Sequence, residues 1–223
     1  MLGRILVCNK ACRLAPLVAV LLSFSDLGYA GSIDAGIVQG DGTPIQSAVI
    51  SVRPKGQAPA IAAAGTRATM TQSGQQFRPY VLPIQAGTTV EFPNRDPFRH
   101  HVYSFSAAKT FELKLYDSSE AETMVFDNEG VIPLGCNIHD NMLAYIYVVG
   151  TPHFGQTGKD GKAAIEALPA GDYTVEAWHP DQRSSPKTAD ITVTAEGTVQ
   201  VDFEMDLKRS RRRTPGEFDD TEY

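Results

Sequence analysis

The chain predicts an all-β protein made of β-sandwiches, and three observations support this. Short runs rich in Val, Ile, Tyr and Thr alternate apolar with polar residues, the period-2 pattern of a half-buried strand. Turn chemistry separates the runs at Asp41-Gly42, Asn128-Glu129-Gly130, Lys159-Asp160-Gly161 and Pro169-Ala170-Gly171. Helical periodicity is nearly absent.

Residues 1–30 read as a secretory signal. Arg4, Lys10 and Arg13 form a basic start, 14–24 an apolar stretch, and Gly28-Tyr29-Ala30 a small-residue cleavage site. The apolar stretch is 11 residues, far short of the ~20 a membrane span needs. Nothing later is apolar for long enough to span either. Cys8 and Cys12 leave with this segment, so Cys136 is the one cysteine of the mature chain and an internal disulfide is excluded. A lone thiol in an oxidising compartment must be buried or held by a metal.

Candidate strands then follow in order. The first two are 33–38 and 48–53, joined across Asp41-Gly42-Thr43-Pro44. Residues 54–76 break the alternation with Pro54, Gly56, Pro59 and an Ala/Thr/Gln/Gly-rich stretch, predicting a long connection with one helical turn near 60–64. Alternation resumes at 80–84, 88–93, 101–105, 110–115, 122–126, 131–134 and 143–149, and again at 162–166, 171–179, 188–194 and 198–206. From Lys208 the chain turns basic, then acidic, with few apolar residues, the composition of a solvated, disordered tail.

The formal charge is −6, and residues 1–30 carry three basic residues and one acidic, leaving about −8 on the mature chain. That balance argues against nucleic acid, which selects a basic face, and suits a basic partner approached by electrostatic steering. About 190 mature residues allow one large or two small domains.

Chemistry concentrates in Gly135-Cys136-Asn137-Ile138-His139-Asp140-Asn141-Met142, with His100-His101 upstream. The Cys-x-x-His-x-x-Met run lies between two strands, so one tight turn offers a thiolate, an imidazole and a thioether. One thiolate, two imidazoles and a distant thioether are the donor set of a trigonal electron-transfer copper site. Zinc is disfavoured, because a thioether is a poor zinc ligand. His153 and His179 lie at strand ends and are expected to be structural, while Trp178 and Tyr173 are expected in the core. The chain carries no Gly-x-Ser-x-Gly elbow, His-Glu-x-x-His helix or phosphate loop. An ion with all its positions filled leaves no place for substrate, so an enzyme is not expected.

Two resemblances extend this reading. Residues 31–54 and 152–207, with Thr43-Pro44 and Leu168-Pro169-Ala170-Gly171-Asp172-Tyr173, resemble the carboxypeptidase-regulatory-like (transthyretin-related) sandwich. Residues 76–151 resemble a cupredoxin, the plastocyanin and amicyanin group. The likeness lies in Phe92-Pro93-Asn94 with His100-His101-Val102, the Gly87-to-Phe92 strand, and the short Cys136-to-Met142 loop. The same two segments are similar to periplasmic proteins of the methylamine-utilisation or plastocyanin-like type. The implied architecture is a Greek-key cupredoxin sandwich, behind a linker at 55–75, inserted into a split outer sandwich, with a tail at 208–223.

By position, the cupredoxin resemblance implies His100, Cys136, His139 and axial Met142 as ligands of one type 1 copper ion. Adjacent strand residues face opposite ways, so only one of His100 and His101 faces the ion; His100 is placed there, with His101 as the alternative. Asn94 either hydrogen-bonds across to the Cys136 loop or serves the turn. Asn137, Asp140 and Asn141 imply a polar surround for His139. The implied function is single-electron carriage in the periplasm, to or from a c-type cytochrome or a periplasmic dehydrogenase. A copper-holding or structural envelope module is the alternative.

Overall fold

A computed structural model describes residues 30–119 and 121–208, among which all regular structure is β-strand. The expected signal before Ala30 and the expected tail beyond Lys208 lie outside the described residues. In chain order the strands are β1 (Gly31–Val38), β2 (Val49–Pro54), β3 (Arg67–Thr69), β4 (Thr71–Gln72), β5 (Phe77–Arg78), β6 (Val81–Gln85), β7 (Thr88–Pro93), β8 (His100–Phe105) and β9 (Thr110–Tyr116). They continue as β10 (Ala121–Phe126), β11 (Gly130–Gly135), β12 (Leu143–Val149), β13 (Phe154–Gln156), β14 (Lys162–Leu168), β15 (Gly171–Trp178), β16 (Lys187–Val193) and β17 (Thr198–Glu204).

The two ends of the chain meet. β1 lies between β14, antiparallel, and β17, parallel, while β2 lies between β13 and β15, with β16 beyond. Strand alternation aims Ile33, Ala35 and Ile37 from β1 and Ile50 and Val52 from β2 inward. There they bury against Ile165, Tyr173, Val175, Val201 and Phe203. Tyr173 donates its hydroxyl to the Pro169 carbonyl at 2.7 Å, which closes the Leu-Pro-x-Gly-x-Tyr corner.

The middle of the chain forms a second pair of sheets, β6-β12-β11-β8-β9 facing β10-β7-β3. The chain crosses between the sheets at β6 to β7, β7 to β8 and β9 to β10 to β11, and β6 and β12 pair in parallel, a Greek-key arrangement. Between them lies a core that includes Phe92, Val102, Phe126, Ile132, Leu134, Cys136, Met142, Ala144, Ile146 and Val148.

β12 is buried on both faces, and its alternation explains why. Ala144, Ile146 and Val148 enter the core, while Tyr147 and Val149 face the other sandwich and join Val49, Val81 and Trp178. Tyr147 stacks on Trp178 at 4.7 Å between ring centroids, and its hydroxyl donates to Glu176. Trp178, expected in the core, is buried in this joint, while Val175 and Ala177 take the inward positions of β15.

Two expectations are corrected. No helical turn forms at 60–64: residues 60–63 have no regular structure and a turn follows at 64–65, with Ala60 N–H donating to Gly150 O at 2.8 Å and Ala62 N–H to Ala86 O at 2.7 Å. Tertiary partners thus satisfy the backbone that a helical turn would have satisfied locally. The segment 55–75, expected as a linker, and the stretch after it contain the short strands β3, β4 and β5, and β13 was also unforeseen.

Candidate metal centre

The loop 136–142 is held at its stem by β11 and β12, which pair Gly135 with Leu143 and Leu134 with Ala144. Within it the Met142 N–H donates to His139 O at 3.0 Å, a tight turn that brings residues 136 and 139 to one side. Gly135 lets the Tyr103 ring lie close over the strand: a Cβ there would stand 2.7 Å from Cζ of Tyr103, which crosses over it from β8.

His100 opens β8 and reaches the same place from the neighbouring strand. Cys136 Sγ lies 4.0 Å from His100 Nδ1 and 3.8 Å from His139 Nδ1, and the three donor atoms all fall within 4.8 Å of one another. With metal–sulfur and metal–nitrogen bonds of about 2.3 and 2.0–2.1 Å, a trigonal ion requires sulfur–nitrogen separations of about 3.8 Å. The spacing therefore fits one ion among these residues. Among the described residues this is the group of His, Cys, Asp and Glu found with such spacing.

His100 is fully buried, and its Nε2 lies 2.7 Å from Asp96 Oδ2. The Asp96 oxygens also accept the N–H groups of Gly74 at 2.7 Å and Gln75 at 3.0 Å. Burial by itself would raise the Asp96 carboxyl, but these N–H groups and the His100 ring outweigh it and hold it below the usual carboxylate range. An ionised carboxylate only accepts, so His100 Nε2 carries the hydrogen, and the neutral ring in this tautomer has its lone pair at Nδ1, on the Cys136 side. His139 is held below the ordinary imidazole range by burial and then by the nearby His100 ring, against the pull of Asp96. It is therefore neutral at neutral pH and offers a lone pair.

Met142 is buried in the same core cluster as Cys136. His101, the alternative to His100, is not in the group. Its ring lies against Tyr103, its Nε2 is 2.9 Å from Glu112 Oε1, and its buried Nδ1 has no hydrogen-bond partner. Asn94 does not reach across to the Cys136 loop: its amide donates to Phe98 O at 2.8 Å and Tyr116 O at 3.2 Å, and its oxygen accepts Asp96 N–H at 2.9 Å. It shapes the loop that carries Asp96. His179 accepts Asp181 N–H at Nδ1 and His153 sits beside β2, both away from the centre.

The sequence reading missed Asp96 and Phe98. Phe98 packs against both imidazoles, at 5.2 Å from His100 and 5.5 Å from His139. With Phe98 38% and Ile138 49% exposed, apolar surface borders His139, alongside the exposed Asn137, Asp140 and Asn141. The expected polar surround is thus mixed with apolar surface, because Phe98 arrives from a loop some forty residues earlier.

No protein-family model and no curated protein sequence matches the chain. Solved structures do. The chain is similar to a copper-containing nitrite reductase from Thermus scotoductus SA-01, with 28% identity over 44% of this chain, 26% of that one and a TM-score of 0.38. It thus spans about a quarter of that enzyme's length. It is also similar to a purple cupredoxin from Nitrosopumilus maritimus, with 24% identity over 36% of this chain, 98% of that one and a TM-score of 0.33. A reduced, Cu(I) form of an amicyanin mutant matches with 17% identity over 44% of this chain, 97% of that one and a TM-score of 0.35.

Proposed function

We propose that this protein holds one copper ion between His100, Cys136 and His139, with Met142 as axial ligand, and carries single electrons. The observation behind this reading is the convergence of one sulfur and two imidazole nitrogens within 4.8 Å, at a spacing that suits a trigonal ion. Bound copper would supply a one-electron couple between its cuprous and cupric states.

The protein's own residues provide the setting. The β11–β12 stem and the β8 strand fix the donors on two sheet neighbours, so loss or gain of an electron meets a stiff frame. The surrounding core, with Phe98 at its rim, keeps water from His100, and His139 alone of the three donors is partly exposed. Its edge is the path by which an electron would enter or leave. Four donors fill the coordination positions, which favours a carrier over an enzyme.

The finer assignments belong to the same proposal. The chain is a cupredoxin unit inserted into a carboxypeptidase-regulatory-like sandwich, a reading supported by the pairing of β1 with β14 and β17. It is secreted to the periplasm after cleavage near Ala30. Its partner is a redox protein such as a c-type cytochrome or a periplasmic dehydrogenase, and the negative charge of the mature chain suits a basic docking face.

Stoichiometric copper loading tests the function. One equivalent should give an intense thiolate-to-metal charge-transfer band that Cys136→Ser abolishes. Rapid oxidation of the reduced protein by a soluble c-type cytochrome is expected. A stoichiometric site that exchanges electrons slowly would instead mark a copper-holding module.

A further inference from the structure

We infer that Asp96 is a positioning residue for the metal centre, locking His100 in the tautomer that binds metal and weighting the site toward the more highly charged oxidation state. This rests on the copper reading above.

Asp96 is only 8% exposed, and its carboxylate is built into a cradle of hydrogen bonds. Oδ1 accepts Gly74 N–H; Oδ2 accepts Gln75 N–H and the His100 ring. Its own N–H is held by Asn94, whose amide in turn holds the Phe98 carbonyl. The loop 94–98 and the turn between β4 and β5 thus converge on one carboxylate aimed at one buried imidazole.

Two consequences follow. A carboxylate with no hydrogen to give forces Nε2–H on the ring, so the remaining lone pair is on Nδ1, facing Cys136. A carboxylate behind a ligating imidazole also raises the ligand's basicity. Its negative charge, buried with the centre, stabilises a cupric ion more than a cuprous one, since the two differ by one positive charge. Asparagine could not reproduce this. Both carboxylate oxygens are occupied as acceptors, and an amide would turn an N–H₂ toward one of those donors.

The test has two arms. On the metal-free wild-type chain at mildly alkaline pH, ring-nitrogen NMR should report the Nε2–H tautomer at His100; an Nδ1–H ring would overturn the assignment. This arm needs neither copper nor a variant. In the second arm, cuprous and cupric affinities of wild type and Asp96→Asn are measured by chelator competition. Cupric affinity should fall about 10- to 100-fold. Cuprous affinity should fall roughly tenfold less, a shift of about 59 mV upward in the one-electron potential. Equal losses for both ions would mean that Asp96 merely supports the loop, and would overturn the weighting. Should the wild-type chain bind no copper, the copper reading falls, while the tautomer measurement still decides what Asp96 does to His100.

Discussion

Gly135→Ala tests whether the Cys136 loop takes its position from the crossing of Tyr103. β8 and β11 are registered at Tyr103 and Gly135, and a Cβ at 135 would lie 2.7 Å from Cζ, 2.8 Å from the hydroxyl oxygen and 3.1 Å from Cε1 of that ring. Carbon contacts are favourable from about 3.5 Å, so ring and backbone must part by about 0.8 Å. Tyr103 is half-buried, and its neighbour on the outer side, Phe105, lies 5.2 Å away and is 81% exposed, so the ring has room to swing outward. That freedom puts the cost in the lower part of the overpacking range, about 1–1.5 kcal/mol. Urea unfolding of the metal-free protein would measure it in Gly135→Ala, Tyr103→Ala and the double variant. The clash exists only with the ring present, so Gly135→Ala should cost almost nothing in the Tyr103→Ala background, a coupling of roughly 1 kcal/mol. An equal loss in both backgrounds would refute the crossing as the constraint.

Other outcomes follow from the same geometry. His100→Ala should abolish stoichiometric copper binding while His101→Ala retains it, as read by metal analysis after desalting, because His101 faces Glu112 and Tyr103. Trp178→Ala should cost about 3–5 kcal/mol and separate the unfolding of the two sandwiches, since Trp178 packs on Tyr147 and Tyr145 in the joint; a loss under about 1 kcal/mol would count against the joint. The metal-free protein should lose stability on acidification. Burial holds His179 below its ordinary value of 6.5, against the pull of Asp181 and a hydrogen bond with Gln46, and Nδ1 is occupied as an acceptor. The unfolded chain therefore takes up a proton first. Stability is full above about pH 6.5 and falls as pH drops toward the folded value, by at most about 1.4 kcal/mol per pH unit for one imidazole. His179→Gln should lessen the fall in melting temperature across that window, leaving the share of His139 and His153, which burial also holds below the ordinary imidazole value.

The all-β class was legible because alternation is a local property, visible in runs such as Thr88–Pro93 and Leu143–Val149. Which strands pair was not, since β1 with β17 and β6 with β12 are parallel partners far apart in the chain. Strands of two or three residues, such as Thr71–Gln72 and Phe77–Arg78, are too short to alternate, and their partners decide them. At the candidate centre, Cys136 and His139 announce themselves by spacing on one turn, and the choice between His100 and His101 reduces to which face of β8 each takes. Asp96 carries no such signal. Its role comes from the meeting of its loop with Gly74 and Gln75, more than twenty residues before it. Asn94 was noticed for its place in the motif, yet its bonds serve the Asp96 loop, a partner set that only the folded chain defines.

X-ray absorption at the copper edge, on protein loaded with one equivalent, tests the proposed site most directly. The account predicts a single short sulfur and two nitrogen scatterers, with the sulfur lost in Cys136→Ser. Copper bound by nitrogen and oxygen alone, or a spectrum unchanged by that substitution, would contradict it.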